Sequence, residues 1–182
     1  MNIYSKKYQQ VSQLPAGVTV AIPNDATNQG RALLVLQKAG LLKLRNGGSA
    51  LSTPADVIAN QSKVKVKAID AAQTAASLDG VDAAVINNNF AADAGLDLNK
   101  VLYKDNATGK SADPYVNIIA AKAADKNNET YKKVAKLWSD PEVQKSIIKQ
   151  SGGTAKVVSD RSQADLDKIL GDLTTEIKKS NS

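Results

Sequence analysis

The residues best suited to chemistry lie in a short stretch that reads Asn-Asp-Ala-Thr-Asn-Gln-Gly-Arg, Asn24 to Arg31. If a helix starts here, its unpaired backbone N–H groups attract negative charge, and the Arg31 guanidinium can grip a carboxylate through two parallel hydrogen bonds. The amide of Asn28 could add a contact. The stretch therefore indicates an anion site. The competing interpretation, which chemistry alone slightly favours, is an ordinary turn and helix cap with Arg31 in solvent.

Three further polar side chains lie beside or within apolar runs. Asn87 follows the run Val-Asp-Ala-Ala-Val-Ile, and Tyr115 and Asn117 belong to the run Tyr-Val-Asn-Ile-Ile-Ala-Ala. Taken singly, Asn87 is most simply a turn residue that ends a strand, and Tyr115 is most simply a packed aromatic. Asn117 is harder to explain in this way, because an amide inside an apolar strand needs a hydrogen-bond partner.

The sequence lacks cysteine and histidine, and this absence removes several kinds of catalysis. Disulfides, thiol nucleophiles, Cys/His zinc sites and Ser-His-Asp triads all need one of these residues. The sequence also has no Gly-x-x-x-x-Gly-Lys-Ser/Thr motif and no cluster of metal ligands. We therefore expect a protein that is not an enzyme and that uses no cofactor or metal.

The formal net charge of +6 raises the question of nucleic-acid or membrane binding. The densest basic stretch, Lys63 to Lys67, alternates Lys with Val, as a strand with one solvated face does. A nucleic-acid surface would need clustered Arg and stacking aromatics, whereas aromatics make up 4% of the residues. We therefore expect no nucleic-acid partner. No apolar run reaches the roughly 20 residues that span a bilayer, and residues 1–13 hold no hydrophobic signal core and no lipidation cysteine.

The elements that must position these residues alternate between strand and helix in the first half of the chain. Apolar, β-branched runs predict strands at residues 18–22, 64–69 and 81–86. Helical patterns follow them at residues 31–39, 51–60, 71–78 and 90–94. Thr27 or Asn28 is expected to cap the first helix, which places Arg31 in its first turn, and Gly40 is expected to end it. Polar residues gather where strands end, which is typical of an α/β sheet with its ligand crevice at that edge.

The second half of the chain reads differently. A polar loop at residues 104–113 precedes a predicted strand at residues 115–121. Three amphipathic helices are then predicted, at residues 129–138, 141–150 and 162–179. The chain thus changes from an α/β pattern to a helical one.

Four motifs carry a resemblance to a known family. IPNDATNQGRALLVLQKAGLLKL, Ile22 to Leu44, closely resembles the segment that follows the interlobe crossover in NlpA/MetQ methionine-binding lipoproteins. IYSKKY, Ile3 to Tyr8, resembles that crossover. DAAVINNNFAADAGL, Asp82 to Leu96, is similar to the family's VIN element, and DPYVNIIA, Asp113 to Ala120, is similar to its return crossover. The motifs also occur in the family's order, which chance matches would not do.

The resemblance implies an α/β fold of the periplasmic-binding-protein-like class, type 2. One near-complete α/β lobe would be joined to a partial second lobe that ends in helices. Residues 1–13 would form the interlobe crossover and residues 14–112 the ligand-binding lobe. Residues 113–182 would form the return crossover and the helical part of the other lobe. The helix predicted at 162–179 extends past the usual end of the family, so no role is assigned to Ser162 to Ser182.

The resemblance also implies a function and a site. Receptors of this family hold an amino acid, by default L-methionine, between two lobes and deliver it to the permease subunits of an ABC importer, without catalysis. At matching positions, Arg31 would hold the α-carboxylate with help from Asn28. Asn87 and Asn117 would bind the polar backbone of the amino acid, with Tyr115 nearby. The parent protein would be an extracytoplasmic lipoprotein, held at the cell membrane by its lipid anchor.

Some features depart from the family pattern. Family receptors begin with a lipidation signal and a first-lobe segment that carries an aromatic pocket for the thioether, and this sequence contains neither. We therefore expect weak or absent methionine binding by this chain and self-association of its C-terminal helices. In the family, a Pro-Arg pair often follows the Gln that corresponds to Gln73. In this sequence the stretch Gln73 to Ala76 reads Gln-Thr-Ala-Ala and lacks that pair.

Two functions of other classes stay open. One is an enzyme domain that binds an anionic substrate with the turn from Asn28 to Arg31. The other is a basic surface or nucleic-acid-binding module, whose binding would weaken steeply with salt.

Overall fold

The computed structural model of the chain describes residues 1–105, 110–158 and 160–180. The chain divides into two compact units, Met1–Asp105 and Asn106–Ser182. The ranges expected for the crossover and the two lobes, 1–13, 14–112 and 113–182, stay predictions. The polar loop expected at residues 104–113 lies partly outside the described residues.

Among its described residues, the first unit is built on a five-stranded mixed sheet. The strands are β1 (Asn2–Tyr4), β2 (Thr19–Pro23), β3 (Lys65–Ile69), β4 (Ala83–Ile86) and β5 (Tyr103–Lys104), in the spatial order β3-β2-β4-β1-β5. β2 pairs in parallel with β3 and β4, whereas β1 runs antiparallel to β4 and β5. The parallel strands confirm the three that the sequence predicts at 18–22, 64–69 and 81–86. The short β1 and β5 are not predicted, because two or three residues carry too little periodicity.

The helices α1 (Ala26–Lys38) and α2 (Asn88–Asp93) pack on opposite faces of this sheet. Successive residues of β2 point to opposite faces. Val20 and Ile22 therefore pack with Leu33 and Leu36 of α1, whereas Ala21 packs on the side of α2. Both leucines are fully buried, and each contributes about 1.5–3 kcal/mol through removal of apolar surface from water. Burial of this face fixes α1, and with it the functional residues at its start.

The helices predicted at residues 51–60 and 71–78 are wrong, since both stretches form short 3-10 turns. The turns are Pro54–Asp56, Ala59–Gln61, Ala71–Gln73 and Ala76–Asp79. In the first stretch the N–H of Ile58 donates to the carbonyl of Lys43 over 2.9 Å, which draws the chain away from a helical path. In the second, the hydroxyls of Thr74 and Ser77 donate to the carbonyls of Ala71 and Thr74. Such side-chain bonds compete with the backbone bonds of an α-helix.

Asp82, just before β4, ties this strand to two other segments. Its Oδ2 accepts a hydrogen bond from the backbone N–H of Thr19 over 3.1 Å, and its Oδ1 accepts one from Nζ of Lys7 over 3.2 Å. The bond from Thr19, followed by the hydrogen bond and charge of Lys7, lowers the pKa of Asp82. The ionised carboxylate therefore helps to align β2 with β4.

Replacing Asp82 by alanine is expected to lower the melting temperature at neutral pH by about 2–4 °C, because it removes hydrogen bonds worth about 1 kcal/mol. Since the folded pKa is depressed, this contribution is complete above the unfolded value of about 3.9 and is lost as the pH falls through the folded value. Thermal unfolding is measured at a series of pH values from neutral downward. The difference in melting temperature between the wild-type chain and Asp82→Ala should therefore disappear only below about pH 4. Asp79→Ala, which breaks an exposed pair with Lys6, is the control, and an equal loss in that variant would contradict the role of Asp82.

In the second unit, the described residues form the helices α3 (Glu129–Lys136), α4 (Pro141–Gln150) and α5 (Gln163–Ser180). Asn128 and Asp140 cap α3 and α4 by accepting hydrogen bonds from backbone N–H groups of the first turn. A 3-10 turn, Leu137–Ser139, continues α3. These elements confirm the helices predicted at residues 129–138, 141–150 and 162–179.

The strand predicted at residues 115–121 is wrong. Lys110–Tyr115 forms a 3-10 turn, and residues 116–122 have no regular structure. Apolar, β-branched residues favour a strand only where a neighbouring strand can pair with their backbone, and the described part of the second unit contains no strand. Ile118 and Ile119 are accordingly 61% and 45% exposed.

Candidate functional site

The carboxyl ends of the parallel strands meet at one edge of the sheet, and polar residues follow them directly. β2 and β4 end just before Asn24 and Asn87. The antiparallel β1 places the buried Asn2 opposite the last residue of β4, and the last residue of β5 lies opposite Asn2. Asp105, which follows β5, therefore lies at this edge too. We call these residues, with the start of α1, the carboxyl-edge site, since ligands of open α/β sheets bind at this place.

The start of α1 differs from its prediction by several residues. The N-cap is Asp25, whose Oδ1 accepts a hydrogen bond from the backbone N–H of Asn28 over 3.0 Å. The expected caps Thr27 and Asn28 are wrong, because a carboxylate directly after the strand satisfies the first turn earlier. The helix therefore starts at Ala26, and Arg31 lies in its second turn rather than its first. The predicted end is confirmed, since Gly40 adopts φ 73° after the helix.

Asn28 and Asn87 are in direct contact. Nδ2 of Asn87 donates to Oδ1 of Asn28 over 2.9 Å, and Nδ2 of Asn28 donates to Oδ1 of Asp25 over 2.9 Å. This relay fixes the orientation of both amides, because each nitrogen points to its acceptor. Oδ1 of Asn87 is buried and has no hydrogen-bond donor among the described residues. An acceptor left in this state costs about 1–3 kcal/mol.

Arg31 grips a carboxylate within the protein. Its Nε and Nη2 donate to the same oxygen of Asp105, Oδ2, over 3.1 and 2.9 Å. The two side chains are 18% and 8% exposed, so solvent screens their attraction less than it would at the surface. Oδ1 of Asn2 accepts a hydrogen bond from the backbone N–H of Asp105 over 3.1 Å, which holds the Asp105 backbone in place. Arg31 therefore lies at the carboxyl-edge site and not in open solvent.

Tyr115 and Asn117 belong to the second unit. Tyr115 ends the 3-10 turn Lys110–Tyr115 and is partly buried, whereas Asn117 is exposed in the irregular stretch that follows. Asn117 does not lie inside a strand, and its exposed amide can bond to water instead of to a protein partner. The expected role of both residues in binding stays a prediction, as do the ligand contacts expected of Asn28, Arg31 and Asn87.

Sequence reasoning missed Asp105 and Asn2 altogether and gave Asp25 only a place in the turn. The signal for Asp25 was present, since Asp is a favoured N-cap residue and follows the apolar run directly. Asp105 lies 74 residues from its partner Arg31, and only the pairing of β1 with β5 brings the two together. No local pattern could have indicated that pairing.

Two negative findings apply to the described residues. They contain no group of three or more His, Cys, Asp or Glu side chains placed to hold a metal ion. None of their helices is both long enough and apolar enough to cross a bilayer.

Replacing Asp105 by asparagine is expected to destabilise the first unit by about 1–3 kcal/mol, because it removes the carboxylate that accepts two hydrogen bonds from the largely buried guanidinium of Arg31. A small carboxylate that takes the vacated place should restore part of this loss by mass action. Thermal unfolding in sodium acetate, compared with sodium chloride at equal ionic strength, measures the recovery. Arg31→Gln/Asp105→Asn is the control. An equal response to acetate in both variants would contradict the assignment of Arg31 as a carboxylate grip.

An α/β unit with polar residues at the carboxyl edge of its parallel strands, joined to a helical unit, defines a protein of the periplasmic-binding-protein-like class. Solved structures agree with this class. Protein PG110 from Staphylococcus aureus is 37% identical and superposes with a TM-score of 0.87 over 94% of this chain and 68% of its own. A nutrient binding protein from Burkholderia cenocepacia, bound to methionine, is 40% identical with a TM-score of 0.75 over 84% of this chain and 63% of its own.

The family follows from sequence comparison. The family model of the NlpA lipoproteins matches residues 1–158, and the chain belongs to this family. A probable D-methionine-binding lipoprotein MetQ from Pasteurella multocida is 39% identical over 156 residues, which are 84% of this chain and 55% of that protein. The D-methionine-binding lipoprotein MetQ from Escherichia coli O157:H7 is 38% identical over 84% of this chain and 56% of its own length. The chain thus spans about half the length of the curated relatives it matches, and these relatives are named as binding proteins and not as enzymes.

Proposed function

We propose that this chain supplies the polar part of an amino-acid site in the binding protein of an ABC importer, with L-methionine or a close analogue as the ligand. The buried Oδ1 of Asn87 carries this proposal, because it has no donor among the described residues. The amide of Asn87 also contacts Asn28, which lies three residues before the Arg31 guanidinium on α1. A zwitterionic amino acid offers an ammonium donor and a carboxylate acceptor together. It could therefore satisfy both groups at once.

In the proposed complex, the α-carboxylate binds Arg31 with help from Asn28, and the α-ammonium donates to Oδ1 of Asn87. The contact between Asn87 and Asn28, 2.9 Å long, supports this division, because it holds both amides in fixed orientations before the ligand arrives. Tyr115 and Asn117 are proposed as further ligand-binding residues. Asp105 is the internal carboxylate that the ligand must displace or share.

We further propose that the protein acts outside the cytoplasm, as a lipoprotein that passes its ligand to permease subunits. The names of the relatives support the lipoprotein part of this role, and a solved structure described as the substrate binding protein of a methionine transporter supports the link to transport. Binding would favour a closed form of the receptor, and that form would dock on the permease. We propose no catalytic step.

The test uses saturation-transfer NMR on L-methionine in the presence of the chain, which detects weak binding. We expect a dissociation constant on the order of 1 mM, equivalent to about −4 kcal/mol, because a thioether prefers aromatic surroundings and aromatic residues make up 4% of the chain. The signal should be nearly independent of salt and should survive added inorganic phosphate. Absence of a signal would overturn the proposal, and loss of the signal on adding phosphate would favour an anion-binding enzyme instead. Tight one-to-one binding by the monomer would contradict the expectation of a weak, partial site.

A second measurement distinguishes the proposed amino-acid binding from the alternative of a basic surface or nucleic-acid-binding module. Binding to a nucleic acid should fall steeply as salt rises, because each phosphate contact releases counterions. The exposed lysines of the edge strand β3 alternate with partly buried residues. The strand Lys65–Ile69 contains no arginine. We therefore expect no nucleic-acid binding at physiological salt in a gel-shift titration.

A further inference from the structure

The last helix of the chain, α5, lies beyond the residues that the family model matches, which end at residue 158. The sequence alone assigns it no role. Its exposed Leu170 and Ile177 show that it is not simply a core helix of the described second unit. The segment just before it, however, makes a specific contact with the turn that carries Tyr115.

Arg161 joins the start of α5 to this turn. Nη2 of Arg161 donates to Oδ1 of Asp113 over 2.8 Å, and its Nη1 donates to Oδ2 of Asp160 over 2.9 Å. The side chains of Arg161 and Asp113 are 25% and 22% exposed. Asp113 lies 48 residues earlier in the chain, within the 3-10 turn Lys110–Tyr115. The ion pair is therefore a long-range tether within the second unit.

The backbone around Arg161 is fixed by a capping box. Oγ and the backbone N–H of Ser162 both donate to Oδ2 of Asp165, over 2.6 and 2.8 Å, and the N–H of Asp165 lies 3.2 Å from Oγ of Ser162. Such reciprocal bonds define the direction in which the chain enters a helix. Arg161 therefore extends from a well-defined helix start.

The other end of the tether is close to the predicted ligand residues. The N–H of Val116 donates to the carbonyl of Asp113 over 3.3 Å, and the backbone from residue 116 onward has no regular structure. Order in such a segment must come from side-chain contacts, because no ladder of backbone bonds supplies it.

We propose that Arg161 is a positioning residue, which acts through Asp113 to fix the segment that carries Tyr115 and Asn117. This inference rests on the proposed function for the role of these two residues in ligand binding. The helix α5 thus anchors the end of the tether, which gives a function to a part of the chain outside the family match.

The test measures backbone order parameters by ¹⁵N relaxation at Tyr115, Val116 and Asn117. The wild-type chain should give values of about 0.85, and Arg161→Gln should reduce them below about 0.6. Asp113→Asn removes the same tether without changing α5 and should have the same effect. Lys168→Gln is the matched control, because it breaks the exposed pair of Lys168 with Asp172 within α5 and should leave the three residues ordered.

Saturation transfer to L-methionine provides the functional readout. It should decrease in Arg161→Gln and Asp113→Asn at an unchanged melting temperature of the first unit, and it should stay unchanged in Lys168→Gln. Order parameters that do not change in the two tether variants would overturn this inference alone. Absence of any methionine signal with the wild-type chain would overturn the proposed function, while the order parameters would still decide whether the tether exists.

Discussion

Replacing Gly30 by alanine is expected to destabilise the first unit by about 1–3 kcal/mol, although the same change in an open helix position stabilises a protein by about 1 kcal/mol. A Cβ on Gly30 would overlap the carbonyl oxygen of Ala50 and lie 2.7 Å from its carbonyl carbon. The obstacle is backbone, so no side chain can turn away to make room. The first turns of α1 or the loop around Ala50 must move instead. Urea unfolding followed by circular dichroism measures the loss as a lower midpoint.

Gly171→Ala is the matched control for this substitution. Gly171 also lies inside a helix, α5, and a Cβ there would meet no atom within 4 Å. The two Gly→Ala changes are therefore expected to shift stability in opposite directions. A stabilising effect of Gly30→Ala would show that α1 does not pack this closely on Ala50. Because Arg31 is the next residue, we also expect Gly30→Ala to weaken methionine binding by displacing the guanidinium.

Replacing Arg31 by glutamine is expected to reduce methionine affinity about 10- to 100-fold, which lowers the saturation-transfer signal to background. A hydrogen bond to a charged group contributes about 1.5–3 kcal/mol, and each 1.4 kcal/mol corresponds to a tenfold change in affinity. Arg31→Lys should lose most of the affinity too, since an ammonium cannot present two parallel donors to one carboxylate. Saturation transfer at a series of methionine concentrations gives the affinities.

Arg45→Gln is the control for the loss of one positive charge. Arg45 is exposed in a 3-10 turn, Arg45–Gly47, and its replacement should leave methionine binding unchanged. Equal losses in Arg31→Gln and Arg45→Gln would mean that net charge, and not the carboxyl-edge site, attracts the ligand. Folding of Arg31→Gln must be checked separately, because Asp105 then loses its partner.

Much of the fold is predictable from local patterns, because hydrophobic periodicity reports burial directly. Val20 and Ile22 alternate with Ala21 as strand residues do, and Leu33 and Leu36 repeat at helical spacing, so β2 and α1 are foreseeable. The helix predicted at residues 71–78 fails for a local reason, since the hydroxyls of Thr74 and Ser77 compete for backbone carbonyls. The helix predicted at residues 51–60 fails because of a contact more distant in sequence. Ile58 bonds to Lys43 instead of continuing a helix.

The stretch from Tyr115 to Ala121 fails for a related reason. Its apolar, β-branched residues suit a strand, but a strand forms only when another strand pairs with it. The hydrophobic pattern of a segment indicates which secondary structure suits it. It does not indicate whether another strand lies beside it. The exposed Ile118 and Ile119 are the physical consequence. The same limit applies to self-association of the C-terminal helices, which stays a prediction.

The site is predictable in part. The direct contact of Asn28 with Asn87 follows from the rule that parallel strands end at one edge, which both residues obey. The ion pair between Arg31 and Asp105 depends on β1 and β5, which are too short to leave a pattern. The residue types thus indicated that Arg31 can bind an anion. They could not show that the carboxylate of Asp105 already pairs with Arg31.

The most direct test of the central claim compares L-methionine with L-methionine amide, which lacks the carboxylate. Both are titrated into the ¹⁵N-labelled chain, with resonances followed for the Arg31 side-chain Nε and the Asn87 side-chain amide. We predict that methionine shifts both resonances and that methionine amide leaves Arg31 unshifted. Equal shifts of Arg31 with the two ligands, or shifts confined to residues away from the carboxyl-edge site, would contradict the account.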